Sequence, residues 1–230
     1  RVPDGVSPQA AVLTEPLSVG LQAVLDNRPA DSDSVLVIGG GVIGSMVVKA
    51  IRALDISCRI TVVEPSPFHA DYARQAGADH VTASDIIGAA LKMTQARVYK
   101  PMLGERIVQG GFDKVFDTVG HSETLQKALI VTRALGTVSL LGIGDRITLD
   151  PTPLWLKILT LKGCYGSGVH EGPSGPRQVF ETALDLLARS KVSVGDMLTH
   201  TFPIEKYRDL ITVSRHKTAH KAIKTAVRFY

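Results

Sequence analysis

Three consecutive glycines, Gly39, Gly40 and Gly41, followed by Val42, Ile43 and Gly44, stand between the apolar run SVLVI (34–38) and a stretch whose Val47, Val48, Ile51 and Leu54 fall on one helical face. The pattern is G-x-G-x-x-G, directly after a strand and directly before a helix. In that setting each spaced glycine has a separate duty. Gly39 makes the tight turn, Gly41 lets a pyrophosphate come close to the backbone, and Gly44 lets the helix pack on the strand. The start of the helix offers unpaired N–H groups and the positive end of its dipole, both suited to phosphate oxygens. The chemistry predicted here is the holding of a dinucleotide.

A second test of that reading lies at the end of the next strand, CRITVVE (58–64), where a dinucleotide site needs an acid to bond the adenosine ribose hydroxyls. Glu64 stands there, 20 residues after Gly44. A carboxylate in that place would face the 2′-phosphate of NADP. Two like charges some 4 Å apart repel by about 4 kcal/mol at an effective dielectric near 20. NAD is therefore expected over NADP. Pro65, Ser66, Pro67 and Phe68 bring no cation to offset the charge, and His69 and Arg74 are the nearest that could.

Short β-branched runs alternating with helical stretches predict the elements that hold these residues: an α/β fold of βαβ units around a parallel sheet. The predicted strands are 34–38, 58–64, HVTAS (80–84), FDKVFDTVG (112–120), GTVSLLGIG (136–144) and KILTLKGCYG (157–166). The predicted helices run from about Phe68 to Gln75, ending at Gly77; through IIGAALKMTQARVY (86–99), capped by Ser84 or Asp85; through SETLQKALIVTRAL (122–135); and through GPRQVFETALDLLARS (175–190). KPMLGERIVQGG (100–111) reads as a loop or hairpin. In the tail MLTHTFP is a strand, IEKYRDLITVS a helix, and AIKTAVRFY (222–230) a strand of period two, expected to be antiparallel and outside the main sheet.

Composition narrows the class. With 230 residues, 44% hydrophobic and 21% charged, the chain can bury a sizeable core, and its 26 basic against 22 acidic residues give only +4. Five Lys or Arg between Arg215 and Arg228 read as a solvated face, and no nucleic-acid partner is expected. Cys58 and Cys164, the only cysteines, form no zinc-knuckle spacing and argue against a disulfide scaffold. No apolar run approaches a membrane span, so a cytoplasmic protein is expected. The histidines fall mostly in polar loops or near the tail, and the His216/His220 pair sits in RHKTAHK, too basic to attract a metal cation. Trp155, between Leu154 and Leu156, is expected to be buried against the core or a subunit partner. The first residue is Arg1, and the opening RVPDGVSP reads as text from the middle of a longer chain.

AAVLTEPLSVGLQAV (10–24), VLVIGGGVIGSMVVKAIRAL (35–54), ARQAGADHV (73–81), FDKVFDTVG, ALGTVSLLGIG (134–144) and FPIEKYRDLI (202–211) occur in that order. Together they resemble the medium-chain, zinc-type alcohol dehydrogenase superfamily, especially its sorbitol and threonine dehydrogenase-like branch. The resemblance implies a Rossmann fold, a doubly wound parallel sheet with helices on both faces, plus remnants of a catalytic domain. Residues 1–16 would lead in from that domain, 17–190 would form the dinucleotide-binding domain, and 191–230 would return toward it. It further implies that Gly39, Gly41, Val42, Ile43 and Gly44 meet the pyrophosphate and that Glu64 meets the ribose. Thr118 and Val119 would line the adenosine side, Leu141, Gly142 and Ile143 would meet the nicotinamide carboxamide, and Cys164 to Gly166 would lie beneath the ring.

Glu15, in the EPL motif, is by the same resemblance a candidate zinc ligand, but the further ligands would lie upstream of Arg1. The chain is thus expected to bind NAD without itself catalysing and without holding zinc. The whole protein would pass hydride between NAD and a small alcohol or polyol, as a homodimer or higher oligomer. Two rival readings share the glycine loop: an NAD-sensing module without hydride chemistry, and a methyltransferase, which the opening straight into a helix fits less well.

Overall fold

Val35 and Val37 point to one face of the strand at 34–38 and Leu36 and Ile38 to the other, and all four are buried. A strand apolar on both faces must be covered on both, which puts it at the centre of a sheet sandwiched by helices. The structure, a computed structural model, describes residues 1–83, 85–100, 107–144, 146–166, 168–172 and 175–229. The chain opens with α1 (Pro8–Ala11), α2 (Thr14–Asp26), β1 (Ser34–Ile38), α3 (Val42–Ala53), β2 (Arg59–Val63), α4 (Pro67–Gln75), β3 (His80–Thr82) and α5 (Ile86–Met93). It continues with β4 (Arg97–Tyr99), β5 (Ile107–Gln109), β6 (Phe112–Asp117), α6 (Ser122–Val131), β7 (Thr132–Leu140), α7 (Thr152–Leu156) and β8 (Thr160–Gly163). It ends with β9 (Val169–Gly172), β10 (Gly175–Gln178), α8 (Val179–Ala188), β11 (Leu198–Pro203), α9 (Tyr207–Arg215) and β12 (Lys224–Arg228).

The main sheet has the order β3-β2-β1-β6-β7-β8, and every pairing in it is parallel. Setting aside the β4–β5 hairpin inserted ahead of β6, this is the doubly wound order, with its reversal between β1 and β6. On one face α2, α3 and α8 bury Leu17, Leu21, Met46, Val47, Ile51 and Val179 against Val35, Val37 and Phe116. On the other α5 and α6 bury Ile86, Ala90, Leu125 and Leu129 against Leu36, Ile38 and Val115. The crossing of α2 over α3 is the closest of these contacts. A Cβ on Gly20 would lie 2.7 Å from the Met46 carbonyl carbon and 2.8 Å from the Val47 nitrogen, so backbone meets backbone there.

Several sequence expectations need correction. The helix after Asp85 stops at Met93, because Thr94 turns extended and its hydroxyl bonds the Ala90 carbonyl at 2.7 Å; Arg97–Tyr99 then pairs antiparallel with Ile107–Gln109 as a hairpin. Asp85 is that helix's cap, its Oδ1 accepting from Ile87 and Gly88 N–H at 2.9 and 3.1 Å, while Ser84 and the hairpin tip at 101–106 lie outside the described residues. Helix α6 ends at Val131, and Thr132 to Leu135 already belong to β7. Residues 175–178 are not helical but pair with Val169–Gly172, and α8 starts only at Val179.

β12 pairs with β11 in parallel, not antiparallel. The cause was itself readable: α9 lies between the two strands, and a strand–helix–strand crossover returns the chain in the same direction. Trp155 is 67% exposed, so it is not packed into the core. Lys157, two residues on, is buried instead. Its Nζ donates to the carbonyls of Ile130 (2.5 Å) and Thr132 (2.8 Å) at the end of α6, and burial pushes its ammonium down to about 8.

Gly20→Ala is expected to lower unfolding stability by about 1–3 kcal/mol, the usual cost of overpacking a close contact. Urea denaturation of both proteins measures it, and an unchanged midpoint would mean that α2 and α3 can separate without penalty.

Candidate dinucleotide site

Each parallel strand hands its hydrogen bonding on to the loop that follows. Gly39 N–H donates to Val63 O (2.9 Å), Glu64 N–H to Thr82 O (3.0 Å), Thr118 N–H to Ile38 O (3.1 Å), Leu141 N–H to Asp117 O (2.9 Å) and Cys164 N–H to Leu140 O (3.0 Å). The loops after β1, β2, β6, β7 and β8 therefore leave the sheet in step at one edge, its carboxyl end. Gly39, Glu64, Thr118, Leu141 and Cys164 all lie there, and the crevice between β1 and β6 is where an open α/β sheet takes its ligand.

The glycine loop is built from backbone. Gly39 has φ +93, the left-handed region that glycine enters freely. A Cβ on Gly44 would stand 1.9 Å from Gly39 O, so no side chain fits where α3 returns over the loop. Gly41 is the N-cap of α3, gives its first turn no side-chain acceptor, and faces open space: a Cβ there would meet nothing within 4 Å. The N–H groups of Val42, Ile43 and Gly44 occupy the first turn, which has no intrahelical acceptor. Open room in front of a glycine cap, with donors pointing into it, fits a pyrophosphate.

Glu64 closes on this loop. Its Oε2 accepts from Gly40 N–H at 2.7 Å, and its Oε1 from Ser66 N–H, also at 2.7 Å. A carboxylate has about four lone-pair positions, so two remain for hydroxyl donors. The side chain is half-buried, which keeps those positions reachable. Thr118 seals the other side of Gly39: its hydroxyl donates to Ile38 O at 2.7 Å, and Val119 lies beside it.

One residue that the sequence reading passed over organises the second wall. Asp117, the last residue of β6, is fully buried, and its Oδ1 accepts from Val119 N–H (3.0 Å) and Gly120 N–H (3.1 Å) while its Oδ2 accepts the Thr124 hydroxyl (3.0 Å). Burial pushes its carboxyl up, and the two amide bonds and the hydroxyl oppose that. The loop so held presses on the next one. A Cβ on Gly142 would be 2.2 Å from the Val119 carbonyl carbon, and one on Gly120 2.2 Å from Gly142 O. Leu141 is buried, whereas Ile143 extends outward, 95% exposed.

Cys164 follows β8 beside Ser139, and burial is the chief influence on its thiol, pushing it up; such a thiol is a weak nucleophile at neutral pH. Glu15 is exposed in the first turn of α2. Ser18 Oγ lies 2.7 Å from Glu15 O and 3.1 Å from Gly166 O, so this turn of α2 adjoins the 164–166 loop. Among the described residues no three His, Cys, Asp or Glu come together as metal ligands. One exposed carboxylate does not meet the three or four ligands that zinc takes. His69 lies in α4, as the predicted helix from Phe68 to Gln75 has it, and is buried there.

The sheet order, the glycine turn at its switch point and the strand-end acid define a Rossmann domain of the dinucleotide-binding class. Residues 42–189 match the zinc-binding dehydrogenase family, and the chain belongs to that family, within the medium-chain, zinc-type alcohol dehydrogenases. A sorbitol dehydrogenase of Arabidopsis thaliana is 28% identical over 207 residues, covering 88% of this chain and 51% of the relative. The crystal structure of L-idonate 5-dehydrogenase from Escherichia coli K-12 superposes with a TM-score of 0.80 at 22% identity, over 99% of this chain and 59% of that one. An alcohol dehydrogenase from Escherichia coli CFT073, solved with NADH, gives a TM-score of 0.79 at 19% identity, over 100% of this chain and 62% of that one. The chain spans about half the length of the curated relatives it matches.

Hydrogen exchange tests the role of Asp117. In Asp117→Ala the amides of Val119 and Gly120 are expected to exchange at least about tenfold faster, since bonds to a charged acceptor contribute about 1.5–3 kcal/mol each. Unchanged protection at both would show that the loop holds itself.

Proposed function

We propose that this chain binds a nicotinamide dinucleotide across the β1/β6 crevice, NAD in preference to NADP, as the cofactor-binding part of an alcohol or polyol dehydrogenase. The observation that carries the reading is the Glu64 carboxylate, tied to Gly40 N–H beside the open helix start at Gly41. It sets a fixed negative charge at the ribose end of a loop otherwise suited to phosphate. In this reading Gly39, Gly41, Val42, Ile43 and Gly44 hold the pyrophosphate, and Glu64 accepts the ribose hydroxyls. Thr118 and Val119 flank the adenosine, Leu141, Gly142 and Ile143 meet the carboxamide, and Cys164 lies under the nicotinamide.

When bound, the nicotinamide accepts or gives a hydride. The chain's own residues orient it, with the ring end at the loops after β7 and β8. The relatives named for sorbitol and L-idonate support an alcohol-type substrate for the whole protein, whose zinc would need ligands besides Glu15. Residues 17–190 would form the cofactor domain, with 1–16 and 191–230 joining it to the rest. Among the described residues no helix is long and apolar enough to cross a membrane, which agrees with a cytoplasmic setting without requiring one.

A homodimer joined at the β8 edge is part of the proposal. Every residue of β8 is exposed, and Leu161 within it and Trp155 and Ile158 just before it present apolar surface. Sedimentation is expected to give a dimer for the 230-residue chain and a monomer for Trp155→Glu; a wild-type monomer would remove this part.

Calorimetric titration tests the cofactor. NAD is expected to bind at least about tenfold more tightly than NADP, and Glu64→Gln to narrow the gap by removing the like-charge repulsion. Equal affinities, or no binding of either, would overturn the reading.

A further inference from the structure

Ser66 is the N-cap of α4, yet its hydroxyl caps no amide of that helix. It lies instead 2.9 Å from Nδ1 of His69, while the Ser66 N–H donates to Glu64 Oε1 at 2.7 Å. The other ring nitrogen of His69, Nε2, lies 3.2 Å from the carbonyl of Ala222, 153 residues away in the chain. A carbonyl only accepts. In the neutral ring Nε2 therefore carries the proton, Nδ1 is the acceptor, and the Ser66 hydroxyl is the donor. The imidazole is buried, so these partners are not exchanged freely for water.

Both ends of this chain of bonds are anchored. Ala222 and Ile223 are fully buried, and Ile223 N–H donates to Thr199 Oγ1 at 3.0 Å, which fixes the Ala222 carbonyl to the β11–β12 pair. At the other end, Glu64 Oε2 holds Gly40 N–H. Gly40 is wedged between the two: a Cβ on it would lie 3.0 Å from Glu64 Cγ and 3.3 Å from His69 O. The bonds thus run from the β11–β12 pair through His69, Ser66 and Glu64 to the glycine loop.

We infer that His69 is a positioning residue for the dinucleotide site: by tying the Ala222 carbonyl to the Ser66 turn it sets the Glu64 carboxylate, so the seating of the β11–β12 segment governs affinity at the ribose end. The inference rests on the dinucleotide reading. Ser66 N–H holds one Glu64 oxygen while the other meets Gly40, and the Ser66 turn is held both by its carbonyl's bond from Ala70 N–H at 2.9 Å and by the His69 ring at its hydroxyl.

The test uses the full 230-residue chain, with NAD and ADP-ribose as calorimetric probes, in the wild-type and Glu64→Ala backgrounds. His69→Leu keeps apolar bulk and removes both ring bonds. It is expected to weaken both probes about 3- to 10-fold in the wild-type background, the fold-change equivalent to about one ordinary hydrogen bond, and less than about twofold once Glu64 is gone. A role confined to stability would weaken binding equally in both backgrounds, and that result overturns the inference, as does undiminished affinity in His69→Leu. If His69→Leu does not fold, Ser66→Ala carries the same expectation. Nitrogen-15 spectra of the imidazole add an independent readout: the Nε2–H tautomer is expected, with the Nδ1 signal shifting in Ser66→Ala, and the opposite tautomer would refute the bond order. Should the wild-type chain bind neither probe, the dinucleotide reading itself falls, which is distinguishable from wild-type binding that His69→Leu leaves intact.

Discussion

The carbonyl oxygen of Gly39 occupies the space that any side chain on residue 44 would need, 1.9 Å from where its Cβ would be. That contact fixes how sharply β1 turns into α3, and much of the molecule follows from it. Because α3 starts so close to the strand, Met46, Val47 and Ile51 reach the face that Val35 and Val37 present, and α2 can then lie across α3 with Gly20 at the crossing. The same sharp turn leaves the first amides of α3 facing outward at the edge of the sheet. A looser turn would bury them or tilt the helix away, so core packing and the phosphate-facing surface are set by one steric constraint.

Around that turn two carboxylates act in opposite settings. Asp117 is fully buried and spends its oxygens on Val119, Gly120 and Thr124, leaving it to shape a loop and nothing else. Glu64 is half-buried and makes only two bonds, to Gly40 and Ser66, so acceptor capacity is left over. The contrast comes from position in the sheet. Both strands have a neighbour on each side, but β6 lies between β1 and β7, whereas one neighbour of β2 is the three-residue edge strand β3, which is itself partly exposed. Similar chemistry at two strand ends therefore yields one structural group and one suited to meeting a ligand.

The glycine loop and Glu64 were legible in the sequence because their requirements are local. A strand, a turn without side chains, a helix and an acid after the following strand can be read from residue types alone, and the parallel sheet followed from the alternation of elements. Asp117 was not legible: in FDKVFDTVG it reads as an ordinary strand-end acid, and only the central place of β6 shows it buried. His69 could be placed in a helix, but its bond was not legible, because its partner Ala222 is 153 residues away. Lys157 is similar, since the carbonyls it bonds, Ile130 and Thr132, lie 27 and 25 residues earlier where α6 passes into β7. The helix expectations at 97–99 and 175–178 gave way to strand partners at 107–109 and 169–172, which only tertiary pairing supplies.

The β11–α9–β12 unit brings these threads together. It is a separate two-stranded pairing outside the main sheet, and Ile223 nevertheless belongs to the same core as β1 and α3. Lys49 Nζ reaches Ser193 O at 2.7 Å and Tyr72 Oη donates to Asp196 O at 3.2 Å, so α3 and α4 both hold the approach to this unit. α3 carries the phosphate-facing turn and α4 follows the strand-end acid. A segment anchored on those two helices cannot shift without moving the elements that define the crevice. The mechanical link between the chain's last forty residues and its glycine loop is therefore a property of the packing itself.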